Sequence, residues 1–136
     1  MGIRPRLACF MWKPADLSVK KEVLGPVGVA LLPAEKIKLN SPRGEAFERE
    51  IHQYLVARFN GYTVSSGSIS GHWKDDQGRD HYGEHREYKV ALPTPGHIRG
   101  FQIFLANLAA EMGEECIYVE MGSEISLIYR AEKQEQ

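Results

Sequence analysis

Apolar residues recur along the chain with two periods, one helical and one extended. Over residues 45–59, Phe47, Ile51, Tyr54, Leu55 and Phe59 fall on one stripe of a 3.6-residue repeat, while Glu45, Glu48, Arg49, Gln53 and Arg58 face away. Asn40, Ser41 and Pro42 supply an N-cap and a first-turn proline, which sets the predicted helix start at Ser41. Asn60 and Gly61 end it, because both tolerate the left-handed conformation of a C-terminal cap. A second stripe holds Ile98, Phe101, Leu105, Leu108 and Met112, broadened by Ile103, Phe104 and Ala109. It predicts a helix over residues 97–112, covered on more than one side and stopped by Gly113.

The extended blocks are shorter. Residues 27–32 are rich in Val and Leu and lie between Gly25-Pro26 and Pro33, as a buried strand does. Ile37 and Leu39 alternate with Lys36 and Lys38, which predicts a short edge strand. Tyr88, Val90 and Leu92 alternate with polar neighbours, and residues 116–121 and 125–129 flank Gly122-Ser123, a two-residue type II′ turn. The apolar run 7–12, bounded by Pro5 and Pro14, reads as a strand or a packing arm. Residues 61–92 form a long hairpin with a polar tip at 74–83. Within it, Tyr62 and Val64 have one parity and Ile69 and Trp73 the other. Either a bulge at Ser65-Ser66-Gly67 shifts the parity, or the two halves are buried on opposite faces.

Strand, helix, strand pair, helix and strand follow one another in the βαββαβ order of ferredoxin-like α+β folds. That order predicts an antiparallel sheet with two helices on one face. An N-terminal arm (1–25), a core (26–130) closed by a C-terminal hairpin, and a frayed tail (131–136) make one domain. The open sheet face predicts a homodimer.

Length and composition narrow the function. A chain of 136 residues with 43% hydrophobic and 26% charged residues fits one soluble globular domain. The net charge of −1, from 17 basic and 18 acidic residues, gives no field for nucleic acid or anionic membrane. The two cysteines, Cys9 and Cys116, form no CxxC pair and read as buried free thiols in a reducing compartment. The apolar N-terminal run is too short for a signal sequence, and no segment has the length of a membrane span, so the expected location is the cytoplasm.

The run RFNGYTVSSGSISGHWKDDQGRDHYGE, residues 58–84, is followed by YKVAL and an apolar helix. It resembles a group of small bacterial proteins of unknown function. In these a helix ends in an Arg-Phe-x-Gly-like turn, and a strand, Gly-x-Trp, a polar turn, an acidic residue and another strand follow. The resemblance spans residues 47–121. It implies a ferredoxin-like fold and no activity.

The hairpin tip carries the candidate chemistry. His72, Asp75, Asp76, Asp80, His81, Glu84, His85 and Glu87 crowd together, and imidazole with carboxylate suits a borderline divalent metal. His72, His81 and His85 are the metal-ligand candidates, His81 and His85 sharing a strand face and His72 opposing them. Without a metal, His85 beside Glu87 or Arg86 is the candidate acid–base group. Trp73, Tyr82, Arg86 and Tyr88 form a candidate surface for a planar ligand or a partner. No HExxH, GxSxG, GxGxxG or P-loop pattern occurs. The pattern therefore favours a non-catalytic binding or interaction module without a cofactor. A small enzyme or divalent-metal protein using the three histidines is the alternative.

Overall fold

The computed structural model describes residues 18–132 and has an α+β architecture. Strand β1 (Val27–Pro33) leads through a 3-10 turn (Lys36–Lys38) to helix α1 (Phe47–Phe59). Then follow β2 (Thr63–Val64), β3 (Ile69–Lys74) and β4 (Asp80–Ala91), helix α2 (Pro95–Met112), and the hairpin β5 (Cys116–Met121) and β6 (Glu124–Tyr129). The six strands form one sheet in the order β2-β4-β1-β5-β6, with β3 also paired to β4. Every pairing is antiparallel.

Cross-strand partners share a sheet face, so the register sorts the side chains. Ala30 lies opposite both Tyr88 and Val119, and Ile117 lies opposite Ile128. This face packs against Phe47, Ile51, Leu55 and Phe59 of α1 and Phe101, Leu105, Leu108 and Met112 of α2 in one core. Both helices therefore cover the same face. The other face carries Val29, Leu31, His85, Glu87, Lys89, Tyr118, Glu120 and Leu127.

Several boundaries differ from expectation. Helix α1 starts at Phe47, not Ser41. Asn40 bridges to Ala46, the Ser41 amide donates to the Glu45 carbonyl, and Gly44 (φ 87°) closes a loop that holds Pro42 outside the helix. Ser41 acts locally: its hydroxyl accepts from the Arg43 amide at 3.1 Å and donates to Glu50 at 2.8 Å. The edge strand expected at 36–39 is the 3-10 turn, which drives Ile37 fully into the core. Helix α2 begins at Pro95, with Thr94 Oγ1 accepting from the His97 amide at 3.2 Å. Asn60, with φ 61°, caps α1 as its sequence indicates. Gly122 has φ 60° and Ser123 is not at positive φ, the pattern of a II′ turn.

The long hairpin resolves the parity conflict without a bulge. Val64 pairs with Tyr88 and Ile69 with His85, and the strand breaks between them. Its two halves are buried on opposite faces, Val64 toward the helices and Ile69 and Trp73 toward the open face. The expected strand at 7–12, Cys9, most of the N-terminal arm and residues 133–136 lie outside the described residues. Ala131, at the start of the expected tail, donates its amide to the Ala106 carbonyl. Among the described residues, no helix is long and apolar enough to cross a membrane.

Candidate functional site

Strand β1 ends where Pro33 pairs with His85, so β3 and the first half of β4 run on beyond it as a two-stranded arm. Gly71 and Gly83 face each other in the middle of this arm, and Gly83 has φ 152°, a conformation other residues avoid. The arm curls over the open face. Trp73 comes to rest 5.1 Å from the His85 ring and 5.2 Å from that of Tyr118 on β5 (centroid distances). At the tip, the Asp76 amide donates to the Tyr129 hydroxyl at 2.9 Å, and Arg79 pairs with Glu115 at 3.4 Å.

Asp75 organises the tip. Its Oδ1 accepts from the amides of Gln77 (2.8 Å) and Arg79 (2.9 Å), and its Oδ2 from Arg79 Nε (3.2 Å). His81 Nε2 lies 2.9 Å from Oδ2. A carboxylate only accepts, so the Nε2 nitrogen carries a proton, and in the neutral ring Nδ1 is then the acceptor. The hydrogen bond from His81 holds the Asp75 carboxyl well below the usual carboxylate range. Burial opposes this, and the Arg79 and Gln77 amides assist it. The Asp75 side chain is wholly shielded from solvent, whereas Lys74 and residues 76–80 of the polar tip are exposed. The Asp-x-x-Gly spacing of Asp75 and Gly78 was a legible signal for such a turn.

Beneath the arm lies a pocket of about 200 Å³, lined by Leu31, Pro33, Trp73, His81, His85 and Cys116, with Asp80, Tyr82 and Glu114 also contributing. Among the described residues, two polar atoms in its walls, Trp73 Nε1 and His85 Nδ1, are buried with no nitrogen or oxygen partner. His85 is 6% exposed. Burial pushes the Cys116 thiol up, and the hydrogen bond from the Trp73 N–H works against it. Cys116 and Leu31 had no signal as pocket residues, because only the fold of the arm brings them to Trp73.

The predicted sites separate. Trp73 faces His81 across the arm, while His72 faces Tyr82. His72 is therefore on the opposite face from His81 and His85, and the three histidines do not converge. His72 and Lys74 both contact Asp80, at 3.2 and 2.9 Å, and hold its carboxyl below the usual range, Lys74 contributing more. Among the described residues, no group of three or more His, Cys, Asp or Glu side chains could hold a metal ion. The Trp73, Tyr82, Arg86 and Tyr88 surface also divides. Tyr88 is 3% exposed in the helix-side core, and burial pushes its hydroxyl up to about 12. Arg86 donates Nε–H to the Ser65 carbonyl and ties down the strand break. Tyr82 is exposed on the arm's outer face, leaving Trp73 alone of the four on the inner one. The even spacing of Tyr82, Arg86 and Tyr88 on one strand put them all opposite Trp73 in parity.

No family model matches the chain. No curated protein matches it either. Among solved structures, it is similar to a phage SAM lyase in complex with S-methyl-5'-thioadenosine. The two share 12% sequence identity with a TM-score of 0.50, over 82% of this chain and 96% of that one. At that identity the likeness concerns the fold.

Proposed function

We propose that this protein is a small-molecule-binding domain whose ligand occupies the pocket under the β3–β4 arm. One observation carries the reading: among the described residues, His85 Nδ1 is buried beside a cavity with no hydrogen-bond partner, and the buried Trp73 N–H there has only the Cys116 thiol near it. Roughly 90% or more of buried polar groups in folded proteins are paired, and an unpaired one costs about 1–3 kcal/mol. A ligand that meets both atoms removes that cost. The indole nitrogen only donates, so the ligand presents an acceptor there. The aromatic wall favours a flat body. The cavity of about 200 Å³ is below the roughly 300–1,000 Å³ of drug-sized sites, which limits the ligand to a small heteroaromatic ring or planar amide.

The test follows the Trp73 indole N–H resonance in ¹⁵N-labelled protein against adenine, nicotinamide, imidazole and S-methyl-5'-thioadenosine, the last being the molecule the phage lyase holds. Saturable shifts that disappear in His85→Phe support the reading. No shift from any probe at about 1 mM, a concentration that detects millimolar affinity, refutes it.

The Asp75–His81 pair favours a second reading, a small enzyme. His81 lines the pocket, and a buried carboxylate that fixes one nitrogen of a neutral imidazole leaves the other able to act as a base. In that case Asp75→Asn abolishes turnover of a bound probe without abolishing its binding. Turnover that survives the substitution removes this reading.

We also read the fold as ferredoxin-like, with β6 added at one edge. The order β5-β1-β4 with β2 and β3 outermost supports it. The free Cys116 thiol is in keeping with a cytoplasmic setting.

A further inference from the structure

We propose that two copies of this chain join edge to edge through β6, pairing antiparallel about a two-fold axis at Leu127. This inference does not depend on the pocket reading. The two sheet edges are built differently. One consists of β2, two residues long, and β3, which contains Gly71 and ends in Lys74, with a break between them. Short strands, breaks and lysines are how proteins blunt an edge. The other edge is β6, the continuous run EISLIY, with no proline, lysine or glycine. Among the described residues, β6 pairs with β5 alone.

The register of β6 fixes which backbone groups face outward. The two-residue turn makes Met121 and Glu124 a hydrogen-bonded pair, and such pairs alternate along the ladder. Ser126 and Ile128 therefore bond inward to β5. Ile125, Leu127 and Tyr129 point their N–H and C=O groups away from it. A second β6 centred on Leu127 sets Leu127 against the partner's Leu127 and Ile125 against the partner's Tyr129. Each is a pair of outward-facing residues, so the register closes about six main-chain hydrogen bonds and leaves no outward group of these residues unpaired.

The same register aligns the charges. Glu124 begins the strand and Arg130 follows its end, and both are exposed. Centring on Leu127 places Glu124 opposite the partner's Arg130 at both ends of the interface. Centring on Ile125 instead sets Glu124 against the partner's Ser126 and leaves backbone groups unpaired. Hydrogen-bond phase and charge thus select one alignment. It also brings the apolar Ile125, 65% exposed, beside the partner's Tyr129.

The experiment is sedimentation velocity and light scattering on the full chain, with circular dichroism to verify folding. The expected result is a dimer at about 50 µM. Leu127→Pro makes it a monomer, because it removes an outward N–H that β5 does not use. Glu124→Arg and Arg130→Glu each weaken the dimer about three- to tenfold, and the double reversal restores it. In a Cys9→Ser background, Leu127→Cys cross-links on oxidation, its Cα about 5.5 Å from its mate and within disulfide reach. Ser126→Cys, two residues out of alignment with its mate, does not. A wild-type monomer at about 100 µM overturns the proposal. So does a dimer indifferent to Leu127→Pro and to both charge reversals, or the opposite cross-linking pattern.

Discussion

Gly71→Ala tests whether the arm is packed as a fixed wall of the pocket. The Trp73 indole lies back along its own strand over Gly71. An alanine Cβ would stand 3.1 Å from Trp73 Cη2 and 3.3 Å from Cε3, and closer still to Cζ3. Favourable carbon–carbon contacts need about 3.5–4.0 Å, so the ring has to move. His85 and Tyr118 flank it, and its Nε1 edge is buried, so it cannot slide freely. Overpacking of this kind costs about 1–3 kcal/mol. Replacing glycine also restricts the unfolded chain, which returns about 0.4–1 kcal/mol. The net loss of about 1–2 kcal/mol lowers Tm by roughly 3–10 °C in a domain of this size. Differential scanning calorimetry measures it, and near-UV circular dichroism reports the displaced indole. Gly67→Ala is the control: nothing lies within 4 Å of its added Cβ, so Tm holds or rises slightly. In a Trp73→Leu background the Gly71→Ala cost disappears, which isolates the pair. An unchanged Tm and near-UV spectrum in Gly71→Ala would show that Trp73 does not rest on Gly71, and the pocket geometry would fall with it.

Three further outcomes test the framework. Asp75 has a folded-state pKa below its unfolded value, so its contribution is fully present above the ordinary carboxylate pKa of about 3.9 and is lost as pH falls below it. The urea midpoint of the wild type therefore falls between about pH 5 and pH 2.5, and Asp75→Asn has a lower midpoint near neutrality and a flatter profile. Leu105→Ala empties a fully buried site between α2 and the sheet and costs about 2–5 kcal/mol, read from the urea midpoint at unchanged m-value. Thr94→Ala removes the side-chain acceptor at the start of α2 and costs about 1 kcal/mol in the same assay, with Thr94→Ser close to wild type.

Much of the fold was legible from local pattern, because the features concerned are settled within a few residues. The stripe Phe47, Ile51, Leu55, Phe59 is buried as its period requires, and Asn60 and Gly113 take the left-handed caps. The type II′ pattern at Gly122 follows from one residue's freedom at positive φ. The helix start at Ser41 failed because capping residues also build loops, and Gly44 with the Asn40–Ala46 bridge made one here. Ile37 and Leu39 alternate, but two apolar residues are too few to distinguish a strand from a 3-10 turn.

The site depended on contacts distant in sequence. Residue spacing put His81 and His85 on one strand face, and both line the pocket. Whether His72 joined them depended on the register of β3 against β4, which pairs it with Tyr82 and turns it away. The alternation along β4 that marks Tyr88 as inward does not say which face is inward at each end. The helices claim Tyr88 and the curled arm claims His85. The sequence by itself therefore determined the elements, their caps and the crowding of polar groups at the hairpin tip. Only the tertiary structure decided that the arm folds back over β1 and β5. That fold-back buries Asp75, turns Trp73 and His85 into a pocket wall where His85 Nδ1 has no partner among the described residues, and leaves His72 outside. The physical reason is that facing across strands is set by register and by the curl at Gly71 and Gly83, and both depend on partners far away in the chain.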